Sequence, residues 1–244
     1  VRDGHSGVQV HGVAPRSGAA IDAVVDGVGA VIFDLDGVLV DTMSWWHEIR
    51  IAFAASQGRV WTEDDSEACS GCNSREWSIV MRDRLRLADP PEVVEREIVG
   101  RLAARYASET VPVIEGVSEA VARIAARMPA AVASSSHPTL IWAVLEATGL
   151  ARHFGAVVSS DEVAAGKPAP DVFLEAARRL GVEPDRCLVV EDSRSGVLAA
   201  RAAGMRVVLV PCPSSPPGPG AADEAHLVLP RLSDLPLGGV ETHR

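Results

Sequence analysis

Two aspartates two residues apart, Asp34 and Asp36, follow the apolar run Gly29-Ala30-Val31-Ile32-Phe33 and precede Gly37. In extended chain, side chains at i and i+2 project to the same side. Two carboxylates that close repel, so a cation is expected near them, and Gly37 permits a tight turn behind them. A second acidic pair, Glu191-Asp192, follows another apolar run, Cys187-Leu188-Val189-Val190. Together Asp34, Asp36, Glu191 and Asp192 offer an all-oxygen donor set that suits Mg²⁺. Ser134 ends a third apolar run, Ala130-Ala131-Val132-Ala133. Lys167 is the single lysine among 23 lysines and arginines. A position that stays lysine where every other such cation is arginine calls for a compact ammonium.

These residue types suit phosphoryl transfer. A phosphate ester needs an in-line nucleophile, an acid for the leaving group and positive charge around its oxygens. Asp34 is the candidate nucleophile, because a carboxylate can form an acyl-phosphate that divides one hard step into two. Asp36 is the candidate general acid, then the base that activates water. Ser134 and the N–H groups after its strand can hold phosphate oxygens, and Lys167 can offset the charge on Asp34 and the phosphoryl group. Mg²⁺ would bridge carboxylates and substrate. An Asp-x-Asp alone is more often a solvated turn; the second acidic pair and the lysine argue against that here.

Positioning these groups requires particular elements. From Pro112 onward helical and strand-like segments alternate: Ser118–Arg127 helical, 130–133 strand, Leu140–Leu150 helical, 156–158 strand, Asp171–Leu180 helical, 187–190 strand, Ser195–Ala203 helical, 206–210 strand, with a last short strand at 226–229. The alternation predicts an α/β fold with a doubly wound parallel sheet and right-handed crossovers. In such folds ligands bind at the carboxyl ends of the strands, where Asp34, Ser134 and Glu191-Asp192 all fall. From Thr42 to Thr110 strand-like runs are missing, and Trp45, Trp46, Ile49, Phe53, Trp77, Val80, Met81 and Leu85 recur at helical spacing. Ala88-Asp89-Pro90-Pro91 ends one helix and starts another. The expected organisation is an N-terminal extension over 1–28, without clear period and partly disordered, an α/β core over 29–42 and 111–244, and a small α-helical domain inserted over 43–110.

Composition limits the partners. The net charge of −10 argues against nucleic acid or an anionic membrane surface as partner. No apolar run approaches the roughly 18 residues that span a bilayer, and the first 29 residues lack the shape of a signal peptide. Cys69, Cys72, Cys187 and Cys212 do not form a disulfide framework for a chain of 244 residues, so a reducing cytoplasm is the expected compartment. The expected partner is a small-molecule phosphate ester, and the expected state a monomer or a weak dimer.

Four segments together resemble the motifs of the haloacid dehalogenase superfamily: Asp34-Leu35-Asp36-Gly37-Val38-Leu39-Val40-Asp41-Thr42; Ser134 after its strand; Gly166-Lys167-Pro168-Ala169-Pro170-Asp171; and Glu191-Asp192-Ser193 with Gly196. Their order and spacing are specific jointly, where any one alone is weak. The subgroup resembles β-phosphoglucomutase and its phosphatase relatives, which carry a helical cap between the first two motifs. The resemblance implies a Rossmann-like core and a Mg²⁺-dependent enzyme with Asp34 as nucleophile and Asp36 as acid/base. It further implies Ser134 and Lys167 at the phosphate, and Asp34, Asp36 and Asp192 at the metal with Glu191 assisting.

The resemblance also implies a specificity loop, matched by Ser70-Gly71-Cys72-Asn73-Ser74-Arg75-Glu76-Trp77. Gly71 would let this loop approach the core, Arg75 would bind a second anionic group or sugar hydroxyls, and Trp77 would flank the substrate. Thr42, Ser135 and Ser136 are further substrate-site candidates. His137 reads as a helix start, and Cys69-x-x-Cys72 as incidental, since a lone pair lacks the second ligands of a zinc site. Asp36 is absent from the dehalogenases, and the cap segment has no lysine for a Schiff base, so phosphate ester chemistry is favoured. The mutases carry a histidine where this chain has Trp46, with His47 one step on, about 100° around a helix. A phosphatase is therefore expected ahead of a sugar phosphate mutase; a non-catalytic binding module on the same fold ranks lower.

Overall fold

The computed structural model describes residues 18–237. Its first element is a helix, α1 (Gly18–Val25), followed by strand β1 (Ala30–Phe33). Every residue of β1 is buried, as expected of a strand covered on both faces. Four helices come next: α2 (Met43–Ser56), α3 (Glu63–Glu67), α4 (Ser74–Leu85) and α5 (Pro91–Ser108). The alternation then runs through α6 (Val117–Ala125), β2 (Ala130–Ser134), α7 (Pro138–Ala147), β3 (Ala156–Ser159), α8 (Asp171–Leu180), β4 (Cys187–Glu191), α9 (Arg194–Ala202) and β5 (Arg206–Leu209). It ends in α10 (Ala221–Glu224) and the two-residue β6 (Leu227–Val228).

The six strands form one parallel sheet in the order β3-β2-β1-β4-β5-β6. The period of two in each strand feeds two apolar layers. Val31, Phe33, Val132, Leu188 and Val190 pack on one side with α6 and α7 residues such as Val121, Ile124 and Ile141. Ile32, Ala131, Ala133 and Val189 pack on the other with Val172, Phe173, Ala176 and Val197 from α8 and α9. Each large apolar side chain buried this way contributes about 1.5–3 kcal/mol.

The four helices after β1 share the first layer's core. In α5 the buried residues Val94, Ile98, Leu102 and Tyr106 make a stripe at four-residue spacing, and in α4 Trp77, Met81 and Leu85 do the same. Pro91 opens α5, where its missing N–H costs nothing. Asn73 caps α4: its side chain accepts from the Glu76 N–H, and Glu76 accepts from the Asn73 N–H, both at 2.9 Å.

The expectation of an aperiodic extension through residue 28 fails for its described part. Ile21, Val24, Val25 and Val28 stand at i, i+3, i+4 and i+7, a helical stripe hidden among small residues. They pack against the core, and Arg206 donates to the Val24 carbonyl at 3.0 Å. Residues 1–17 lie outside the described part.

Candidate active site

β1 and β4 lie side by side with Phe33 level with Val190, and the Asp34 N–H donates to the Val190 carbonyl at 3.0 Å. Asp34 therefore leaves the sheet beside Glu191 and Asp192. On its other side β1 pairs with β2, which brings Ser134 to the same edge. The chain leaves β1 toward β2 and returns from β3 to β4 on the far side, so the connections part between β1 and β4 and open a crevice there.

Lys167 enters from the segment before α8. Its ammonium donates to Asp34 Oδ1 at 2.5 Å, Glu191 Oε1 at 2.6 Å and the Ala133 carbonyl at 3.2 Å. Three acceptors converge on one nitrogen, a geometry that fits a compact ammonium and not a planar guanidinium. Glu191 Oε2 accepts from the N–H groups of Asp192 and Ser193 and from the Ser193 hydroxyl, each at 3.0 Å. Gly196 lies so close that a Cβ there would overlap the Glu191 carboxylate, and one on Gly37 would overlap that of Asp192.

Burial raises the Asp34 pKa, Lys167 draws it down and Glu191 pushes it up again, leaving it at about 7. Burial, then Glu191 and Asp34, push Asp192 well above the usual carboxylate range. Burial by itself would lower Lys167; Asp34 and Glu191 outweigh it and hold the amine charged. Ionised together, as metal ligands are, these three buried carboxylates would carry two negative charges beyond the one ammonium, the charge of one divalent ion. The donors are oxygens, so the residues fit a hard cation such as Mg²⁺. Asp34 and Asp192 are the available carboxylates, whereas Glu191 has both oxygens engaged.

The expected cage of four carboxylates is not formed. Asp36 lies past the end of β1, and its carboxylate accepts from the hydroxyls of Thr42 and Ser136, the latter at 2.6 Å, and from Trp46 Nε1 at 3.4 Å. Its main-chain carbonyl is what it has left to offer a metal. Among the described residues one set of three acidic, histidine or cysteine ligand atoms lies within 4.8 Å of one another: Glu95, His137 and Asp161. That set sits elsewhere, between α5 and the segments after β2 and β3. His137 there caps α7, accepting from the Thr139 N–H at 3.1 Å.

A cavity of about 180 Å³ opens over this edge of the sheet. Its floor holds Asp34, Asp36, Ser134, Lys167 and Asp192; its far wall holds Met43, Trp46, His47 and Arg50 from α2 with Gly71, Cys72 and Trp77. Ser134 is buried and its hydroxyl accepts from the Ser136 N–H at 3.0 Å. Ser135 donates to the Gly71 carbonyl at 3.0 Å, tying the loop to the core. Gly71 has φ +77°, and a Cβ there would strike Ser195, so the expected close approach is present. Trp77 is buried and meets Trp46 edge-on, ring centroids 6.0 Å apart. Burial holds the Cys72 thiol up at about 11, with Cys69 and Glu76 adding to it, so the thiol stays protonated.

Arg75 does not reach the cavity. On α4 the buried stripe is Ser74, Trp77, Ser78, Met81 and Leu85. Arg75 lies about 200° from Trp77 around the helix and faces solvent. The cation on the far wall is Arg50, a residue the motifs did not mark. Met43, Trp46, His47 and Arg50 stand at i, i+3, i+4 and i+7, one face of α2, and that spacing was the available signal. Trp46, not His47, lies against Asp36; His47 Nδ1 pairs with the Ser66 hydroxyl at 3.1 Å.

Among the described residues, no helix is long and apolar enough to cross a membrane, and the four cysteines are free. The chain is 35% identical over 177 residues to a phosphorylated carbohydrates phosphatase of Thermotoga maritima, spanning 72% of this chain and 82% of that one. It is 34% identical over 192 residues to hexitol phosphatase B of Escherichia coli, spanning 76% and 85%. Its fold matches the crystal structure of CbbY from Rhodobacter sphaeroides in complex with phosphate, with a TM-score of 0.73 at 24% identity over 85% of this chain and 96% of that one. The family profile of the haloacid dehalogenase-like hydrolases matches residues 28–204, and on the strength of that match and these relatives the chain belongs to this family.

Proposed function

We propose that this protein is a Mg²⁺-dependent phosphatase that hydrolyses phosphate monoesters of small sugars or sugar alcohols through an aspartyl-phosphate on Asp34. The observation that carries the reading is the triple contact of Lys167 with Asp34, Glu191 and the Ala133 carbonyl on a cavity floor that also presents Asp36 and Asp192. A site of this kind holds a nucleophile, an acid and compensating charge within reach of one phosphoryl group. The names of the Thermotoga and Escherichia coli relatives supply the substrate class.

Asp34 attacks phosphorus in line, and the bond from phosphorus to the ester oxygen breaks. Asp36, oriented by Thr42 and Ser136, gives its proton to the departing alcohol. Asp36 then takes a proton from water, whose oxygen attacks phosphorus and frees Asp34 with release of phosphate. Ser134 and the N–H groups after β2 hold phosphoryl oxygens, and Lys167 compensates the charge that gathers on them. Asp34, Asp192 and the Asp36 main-chain carbonyl would hold Mg²⁺, which would supply Lewis acidity and neutralise charge. The helices from Met43 to Ser108 act as a cap that excludes bulk water.

A mutase is less well supported. Trp46 occupies the position against Asp36, and its indole N–H cannot move a proton as an imidazole does. The test is phosphate release from a panel of hexose and hexitol phosphates, with Mg²⁺ or a chelator. Release that needs Mg²⁺ and disappears in Asp34→Asn is expected. Interconversion of a sugar 1-phosphate and 6-phosphate without phosphate release would overturn the proposal.

A further inference from the structure

Two cations line the cavity, and they are in opposite situations. Lys167 is fully engaged by its two carboxylates and one carbonyl. Arg50 has, among the described residues, no ion-pair partner, and its Nε is closed off from solvent without a hydrogen-bond acceptor. Its guanidinium lies 5.0 Å from the Trp46 ring centroid and 5.8 Å from that of Trp77. Arg50 is half-buried, and such ring contacts offset only part of the cost of drawing its charge partly out of water. The carboxylate of Asp36 does not make up the difference, since it is engaged by Thr42, Ser136 and Trp46.

We infer that Arg50 is a specificity-determining residue that binds a second anionic group, so that the preferred substrate is a phosphate ester with a carboxylate or a second phosphate at its other end. The inference rests on the proposed orientation, with the reacting phosphoryl group on the floor among Asp34, Ser134 and Lys167. The far wall then meets the opposite end of the substrate. Trp46 and Trp77 hold the guanidinium plane in place, which lowers the entropy lost when it pairs with a planar or tetrahedral anion. Neutral hydroxyls could accept from Arg50 too, but they leave its charge uncompensated.

The test is calorimetric titration of the Asp34→Asn protein in Mg²⁺, which reads binding without turnover, alongside phosphate release by the unaltered protein. The ligands are sorbitol 6-phosphate, glucose 6-phosphate, 6-phosphogluconate and glucose 1,6-bisphosphate. Binding of the last two at least about tenfold tighter than the first two is expected, with the preference erased by adding Arg50→Met and partly kept by Arg50→Lys. Preference for 6-phosphogluconate alone identifies the group as a carboxylate, and preference for the bisphosphate alone as a phosphate. An absence of preference in Asp34→Asn, or one that survives Arg50→Met, overturns the inference. Phosphate release without preference would sink the Arg50 subsite and leave the phosphatase standing. An Arg50-dependent preference without release from any ligand would do the reverse.

Discussion

Replacing Lys167 by methionine keeps the length of the side chain and removes its charge, leaving Asp34 and Glu191 facing each other without the ammonium. The side chains of Lys167, Asp34 and Glu191 are 2%, 9% and 1% exposed, so water cannot take the place of the ammonium. Removing one partner of such a buried pair costs about 3–5 kcal/mol. For a chain of this size that lowers Tm by roughly 6–20 °C. The loss depends on pH with a definite sign. The Asp34 pKa in the folded protein, about 7, lies above its ordinary value of 3.8 because burial disfavours the carboxylate. Its ionisation therefore destabilises the fold, by an amount absent below about pH 4, growing between about 4 and 7, and constant above that. Lys167 opposes that rise, so without it Asp34 binds its proton more tightly still. The Lys167→Met penalty should be larger at pH 8 than at pH 5.5, because it develops as pH rises from about 7 toward the higher Asp34 pKa of the variant. Urea unfolding at both pH values, in buffer free of divalent metal, measures it. A variant within about 1 kcal/mol of the unaltered protein at pH 8, or a penalty that grows toward acid, would refute the reasoning. Lys167→Arg should fail to restore either stability or phosphate release, because a guanidinium cannot place one nitrogen against three converging acceptors.

Two further outcomes follow from the same edge of the sheet. Gly196→Ala should cost about 1–3 kcal/mol of stability by overpacking and should lower phosphate release, because the new Cβ overlaps the Glu191 carboxylate that helps hold Lys167; thermal melts and kcat check both. Mg²⁺ at about a hundred times its Kd should stabilise the protein by about 2.7 kcal/mol, raising Tm by roughly 5–10 °C. That gain should disappear in Asp192→Asn and be smaller at pH 5.5 than at pH 8, where protons compete less for Asp34 and Asp192.

Much of the framework was legible in the chain because it depends on neighbours close in sequence. Apolar runs of four or five residues, each ending in a polar or acidic residue, announced strands buried on both faces and put Asp34, Ser134 and Glu191 at their ends. Pro91 marked a helix start, and Gly181, which follows the last helical residue in left-handed conformation, is the residue type that stops a helix. The stripe of α1 and its continuation, Ile21, Val24, Val25 and Val28, is masked by the Ala, Asp and Gly residues among it, and only docking on the core makes it worth forming.

The amino-acid sequence by itself determined the parallel α/β framework, the acidic strand ends and the need for one compact ammonium, since period, caps and residue chemistry are local properties. Tertiary structure decided which groups face one another. It turned Arg75 out to solvent and brought Arg50 in. It engaged the Asp36 carboxylate with Thr42 and Ser136, and committed Glu191 to Lys167 and the Ser193 turn. A helix presents a new face every 100°, so a motif can name a cation's neighbourhood while the docking of that helix on the core chooses the residue that enters the cavity.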